Sequence, residues 1–300
     1  MDILQFEFMQ NAIAAGLLTA VICGIMGSLV VVNRIVFLSG GIAHAAYGGI
    51  GLAFYFKWPV MLGTMGFSLA ASMLMAAVTL KARHRADTII GVIWALGMAF
   101  GIILVDLTPG YNVDLMSYLF GSILTVPRSD LLIMAGMGVF IIGLTAFYYK
   151  EILAVSYDEE FARIRGVPVT RIYFGLIAML GLTVVMVIQV VGLIMVIALM
   201  TIPPFIMEKY AKSLAGMMVG AAILGAVFTI CGLWLSYEYD LTSGAAIIMV
   251  AGMGFLVSLL LETVTSKLRN RRRTIEQTDV PETDPVTEQN TPALAEAREG

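Results

Sequence analysis

The sequence predicts an all-helical membrane protein that enters the bilayer about nine times, and three features carry that prediction. The first is composition. Of 300 residues, 59% are hydrophobic and only 13% are charged, against about 25% charged in an average soluble domain. A compact soluble core could not absorb so much apolar surface, so the surrounding solvent is lipid, where helices satisfy their own backbone. The second is charge spacing, which leaves eight long uncharged runs: 8–33, 35–56, 58–80, 88–105, 131–149, 172–207, 213–237 and 241–261. The third is the placement of Lys and Arg.

A crossing needs roughly 20 apolar residues, and seven of the runs have about that length. Run 172–207 does not, because its 36 residues would make a helix of about 54 Å, far longer than a hydrocarbon core of about 30 Å. It must double back, with Gly192 as the turn and Pro203-Pro204 ending the return leg. Nine segments then place Arg34, Lys81, Arg83, Arg85, Lys150, Arg163, Arg165, Arg171, Lys209, Lys212 and the basic stretch 269–273 on one side. By the positive-inside rule that side is the cytoplasm, which also receives the C-terminus. Lys57 and Arg128 are exceptions. The alternative count of eight, with 172–207 as a single crossing, puts Lys209, Lys212 and the Arg-rich end outside.

The N-terminal run shows no cleavable signal, since Asp2 and Glu7 stand where basic residues would be expected. Cys23 and Cys231 lie in apolar runs without a CxxC spacing and read as small fillers rather than a disulfide. The second run contains "FLSGGIAHAAYGGIGLAF" and one of the two histidines. On a helix, Gly41, His44, Gly48, Gly51 and Tyr55 share a face. Small residues there let another helix approach closely or leave room for a passage. Gly40-Gly41 reads as a break, so the expected helix is 41–56, about 24 Å long. An ionisable residue near the start of a short, interrupted membrane helix points to a transport site. The competing reading is a histidine that only hydrogen-bonds a neighbouring carbonyl between packed helices.

The segment "VVGLIMVIALMTIPPFIMEKY", 190–210, is the second short, Gly/Pro-interrupted element, and Pro203 is a candidate for the same path. A plain hairpin whose prolines stop a helix is its structural alternative. Residues 150–171 hold eight charges and form a cytoplasmic segment. Asp158 is placed to cap a short helix, with Glu159 and Glu160 in its first turn. Phe161 and Ile164 share a face, Gly166 can take the left-handed stop, and Pro168 prevents continuation. An exposed Phe161 on such a helix suggests docking. The chain therefore divides into a membrane domain, 1–268, containing the segment 150–171, and a basic anchor with a polar, disordered tail, 269–300.

Several stretches carry a resemblance: "GGIAHAAYGGIGLAF" (40–54), "RADTIIGVIWALGMAFGIIL" (85–104), "VDLMSYLFGSIL" (113–124), "YDEEFARIRGVPV" (157–169), and "VVGLIMVIALMTIPP" (190–204) with "LSYEYDLTSGAAIIM" (235–249). Together they resemble the integral membrane permease of ABC importers for zinc, manganese and iron(II), and so imply the fold of type II ABC importer permeases. The resemblance implies a second permease copy, a homodimer, two cytosolic ATP-binding subunits and an extracytoplasmic metal-binding protein. It implies that Asp158, Glu160, Phe161, Ala162 and Gly166 lie on the helix that meets the ATPase, and that His44 lies on the cation path. Gly41, Gly48, Gly51, Pro203 and Asp240 join His44 as path candidates. Departures from the pattern are Gly40 where many relatives carry an acid, Gly48 where many carry proline, and "PPFIM" after the return leg.

No GxxxxGK[ST], HExxH or GxSxG occurs, so the chain is expected to be a transport subunit rather than an enzyme, with ATP on a partner. It needs no cofactor of its own. The 20 methionines read as packing residues. The Arg-rich stretch reads as a membrane anchor and not as a nucleic-acid site. The expected function is import of a divalent transition metal by alternating access in a prokaryotic cytoplasmic membrane. Zinc is favoured over manganese and iron(II), because imidazole suits zinc and the neighbouring acid is missing. The rivals are a permease for metal chelates such as siderophores or cobalamin, and an ion-coupled secondary carrier. The latter would need more intramembrane ionisable groups than His44, with Asp106 and Asp240 near the outer ends.

Overall fold

The computed structural model describes residues 7–109, 121 and 123–278, and of residues 83 and 265–278 the backbone alone. Its helices are α1 (Glu7–Val32), α2 (Val36–Phe56), α3 (Val60–Lys81), α4 (Ala86–Asp106), α5 (Arg128–Phe147), α6 (Tyr149–Tyr157), α7 (Glu159–Ile164), α8 (Val169–Val191), α9 (Leu193–Glu208), α10 (Leu214–Glu238) and α11 (Ser243–Thr278). The chain divides into two units, Met1–Phe255 and Leu256–Gly300. The first holds α1 to α10 and the start of α11. The second holds the remainder of α11 and the C-terminal tail. Of the tail read as 269–300, the side chains of 269–278 and all of 279–300 lie outside the described residues, as do 113–120 and 122 of the third resembling stretch.

Among the described residues, eight helices are long and apolar enough to cross a membrane: α1 to α5, α8, α10 and Ser243–Val264 of α11. α9 is a ninth, shorter apolar helix of 16 residues. The chain reverses at Gly192, as expected. Arg34 lines one cavity with Val169, the first residue of α8, and another with Glu208, the last of α9. Both helices therefore keep those termini at the same end of the bundle. Gly192 adopts φ +81°, where a side chain would be strained. Gly121, at φ +68°, backs directly onto it; a Cβ there would run into the backbone of Val191 and Gly192.

The end of the bundle around Arg34 collects the termini of α1, α3 and α9 and the starts of α2, α4 and α8. The opposite end carries the exceptions. Lys57 ends α2 there, and Arg128 pairs with Glu7 at 3.0 Å. Three helix ends use the same device with a residue other than glycine at its left-handed position. Ile35 N–H donates to Val30 O at 3.0 Å with Arg34 at φ +57°. Trp58 N–H donates to Ala53 O at 2.8 Å with Lys57 at φ +55°. Leu241 N–H donates to Ser236 O at 3.0 Å with Asp240 at φ +52°. These are Schellman ends, which satisfy orphan carbonyls and usually place glycine at the left-handed position.

Two sequence expectations are corrected. Gly40 and Gly41 do not break α2, which runs unbroken from Val36 to Phe56. Both glycines are buried, Gly41 against Ile90 and Met75, and this packing overrides the weak local preference. Pro203 and Pro204 do not end the return leg. They lie inside α9, which continues to Glu208. The carbonyls this frees, of Leu199 and Met200, are tolerated where neighbouring groups compensate.

The core of the first unit runs along α1, α2, α8 and α9, with Met26, Leu29, Ile42, Ile177 and Leu180 at 1% exposure or less. In lipid, helices associate by close packing rather than by the hydrophobic effect, so small residues mark the tightest seams. α1 meets α10 where a Cβ on Gly24 would stand 2.6 Å from the Cα of Ala222. α2 meets α4 where a Cβ on Gly51 would stand 2.7 Å from the Cα of Gly101.

Candidate functional site

His44 sits in the first half of α2 with its ring half-buried. The ring stacks on Trp94 of α4, with centroids 4.1 Å apart and planes 16° from parallel. Its Nδ1 is buried and makes no hydrogen bond. An unpaired buried nitrogen is costly, and this nitrogen has no carbonyl partner of the kind the competing reading of the sequence invokes. No group of three or more His, Cys, Asp or Glu side chains converges among the described residues.

The glycines beside it serve close approach. A Cβ at Gly41 would stand 2.6 Å from Cγ2 of Ile90, one at Gly48 would enter the Phe67 ring, and one at Gly51 would enter the backbone of α4. Gly41, Gly48 and Gly51 therefore stand at close helix contacts in this structure. Pro203 is buried within α9 near Gly225. Asp240 is exposed in the α10–α11 turn, where its left-handed backbone ends α10. The glycines share α2 with His44, whereas Pro203 lies in α9 and Asp240 in the α10–α11 turn. Sequence reasoning passed over Trp94. Its signal was a tryptophan well inside an uncharged run, when the usual place for Trp is the membrane interface.

The segment between α5 and α8 takes the expected form. Asp158 Oδ1 accepts from the Phe161 N–H at 2.9 Å and caps α7. Glu159 and Glu160 occupy its first turn, and Glu159 pairs with Arg163 at 2.9 Å. Ala162 is fully buried, while Phe161 and Ile164 are 51% and 85% exposed. The Arg165 guanidinium lies 5.0 Å over the Phe161 ring and stiffens it. Gly166, at φ +80°, stops the helix, and Val167 N–H closes on Ala162 O at 3.0 Å. α7 is thus a six-residue knuckle, capped at both ends, with an apolar, cation-flanked tip.

The chain is similar to known proteins in sequence and in fold. An uncharacterized membrane protein of Synechocystis is 55% identical over 256 residues, covering 85% of this chain and 91% of its own length. A manganese transport system membrane protein of Listeria monocytogenes is 30% identical over 273 residues, 91% of this chain and 97% of its own. The solved structure of PsaBC from Streptococcus pneumoniae, in complex with Fab, superposes with a TM-score of 0.78 at 30% identity, covering 86% of this chain and 93% of that one. Residues 5–262 match the model of the ABC 3 transport family, and the chain belongs to that family as a membrane permease.

Proposed function

We propose that this permease admits a divalent transition-metal ion across a prokaryotic cytoplasmic membrane by alternating access. It works as one of two copies, driven by separate cytosolic ATPases and supplied by an extracytoplasmic metal-binding protein. The observation that carries this reading is the pairing of an unsatisfied imidazole inside the membrane with a capped, apolar-tipped α7 at the basic end. His44 offers a single nitrogen to the passing ion. One donor binds weakly, and a path must release its ion. The ATPase receives Phe161 and Ile164. Asp158 and Gly166 fix the two ends of α7, Ala162 seats it on the bundle, and Glu160 adds a negative charge at its N-terminal turn.

The name of the Listeria relative puts manganese first among cargoes to test. The imidazole, without a carboxylate at position 40, keeps zinc as the second. By the positive-inside rule the Arg34 end and the C-terminus face the cytoplasm. The test is uptake of radiolabelled manganese, zinc and iron(II) by the full complex in proteoliposomes. ATP-dependent entry of at least one free ion is expected. Entry of a metal chelate and no free ion would replace this reading with the chelate permease. Labelling of cysteines at 209 or 212 from outside would refute the orientation.

A further inference from the structure

α6 precedes the α7 knuckle, and its attachment to the bundle is sparse. Its one buried residue is Ile152. On one flank a cavity of about 310 Å³ separates Val155 and Glu159 from Thr79, Ala86 and Asp87 at the ends of α3 and α4. On the other a cavity of about 270 Å³ opens between Ser156 and Lys212 in the α9–α10 turn. Near each end of α6 a side-chain hydrogen bond reaches the bundle. Asn33, at the end of α1, donates from Nδ2 to the Leu29 carbonyl at 2.8 Å and to Ser156 Oγ at 2.9 Å. Tyr149 accepts the Ala215 N–H of α10 at its hydroxyl, at 3.1 Å. That N–H is one of the four donors a helix start leaves unpaired; Ser213 Oγ takes the next, from Gly216, at 3.1 Å. Both receiving helices belong to the tight α1–α10 pair, joined at Gly24 and Ala222.

We propose that Asn33, Ser156 and Tyr149 are positioning residues of the transport cycle. They pin α6, and α7 with it, to the α1–α10 pair, so a displacement of α7 moves those two helices instead of being absorbed in the flanking cavities. This rests on the reading of α7 as the helix that meets the ATPase. The quantity that reports it is the number of metal ions taken up per ATP hydrolysed by the full complex in proteoliposomes.

Ser156→Ala and Tyr149→Phe each delete only a hydroxyl. Each is expected to lower that ratio about two- to tenfold, the equilibrium weight of one neutral hydrogen bond. ATP turnover without metal and the melting temperature stay near wild type. Asn33→Ala combined with Ser156→Ala should be no worse than the worse single variant, because both remove the same link. Ser156→Thr, which keeps the hydroxyl, should restore the ratio. A wild-type ratio in both hydroxyl-deleted variants, with or without a lower melting temperature, would overturn the proposal and leave the transport reading standing. A wild-type complex whose ATP hydrolysis drives no metal entry would overturn both.

Discussion

Replacing His44 by phenylalanine separates the ligand from the ring. The stack on Trp94, at 4.1 Å and 16°, depends on an aromatic plane and not on nitrogen. Such pairs contribute about 0.5–1.5 kcal/mol beyond area burial, and phenylalanine keeps that contribution. Nδ1 is buried without a partner, a state that costs about 1–3 kcal/mol. Phenylalanine puts a carbon there and removes the cost. His44→Phe should therefore melt at or above the wild-type temperature. His44→Ala loses the stack and should melt lower. If His44 meets the ion, uptake falls in both, so the variant with the better fold is also inactive. His44→Gln adds a control, since it keeps a polar side chain but is a poor zinc donor. The assay is metal uptake in proteoliposomes beside a thermal melt of the same preparation. Wild-type uptake by His44→Phe would show that the ion passes on other groups and that the imidazole only packs.

Substitutions at the glycines and at Asp240 test the remaining geometry. Gly51→Ala and Gly101→Ala drive a methyl into the facing backbone of the α2–α4 seam, an overpacking of about 1–3 kcal/mol; both should lower the melting temperature. Gly136→Ala and Gly143→Ala, with nothing within 4 Å of the added carbon, should be neutral or raise it by the equivalent of about 0.5–1 kcal/mol. Gly166→Val meets no neighbour but forces a branched residue into φ +80°, a strain of about 1–2 kcal/mol. It should leave an assembled complex without metal-stimulated ATPase activity, whereas Gly166→Asn, which tolerates that backbone, should retain it. Asp240→Gly relieves a left-handed aspartate, so it should melt no lower than wild type with uptake intact; a loss of uptake would put Asp240 on the ion path.

The spans are legible because lipid leaves little choice about where charge can sit. Runs 35–56 and 213–237 correspond to Val36–Phe56 and Leu214–Glu238. The α7 knuckle is legible because cap, first-turn acids and stop glycine act within a few residues of one another, so no distant partner has to be known. Local propensity fails inside the membrane. Gly40-Gly41 and Pro203-Pro204 are breakers in water, but their neighbours here hold the helix through them. Pairings are the other gap. The Trp94 ring on His44, and the Ser156 hydroxyl on an asparagine 123 residues away, are products of tertiary placement that a single sequence does not encode in any local pattern.

A charge or imidazole in so apolar a chain admits two explanations, and the backbone separates them. Arg34, Lys57 and Asp240 are the non-glycine residues of positive φ among the described residues, and each ends a helix at a boundary of the bundle. Glycine would suit these angles better. A charged side chain at the same place stops the apolar run and reaches toward water, which a membrane boundary requires and glycine cannot supply. These charges mark ends. His44 has neither property. It lies eight residues past the start of an unbroken helix, against an aromatic ring and with a nitrogen left unpaired. Nothing in the termination of α2 calls for it there, and an ionisable group within a membrane segment is expensive. That contrast, drawn from backbone angle and hydrogen-bond satisfaction, is why we read Asp240 as a helix stop and propose His44 as a residue the cargo meets.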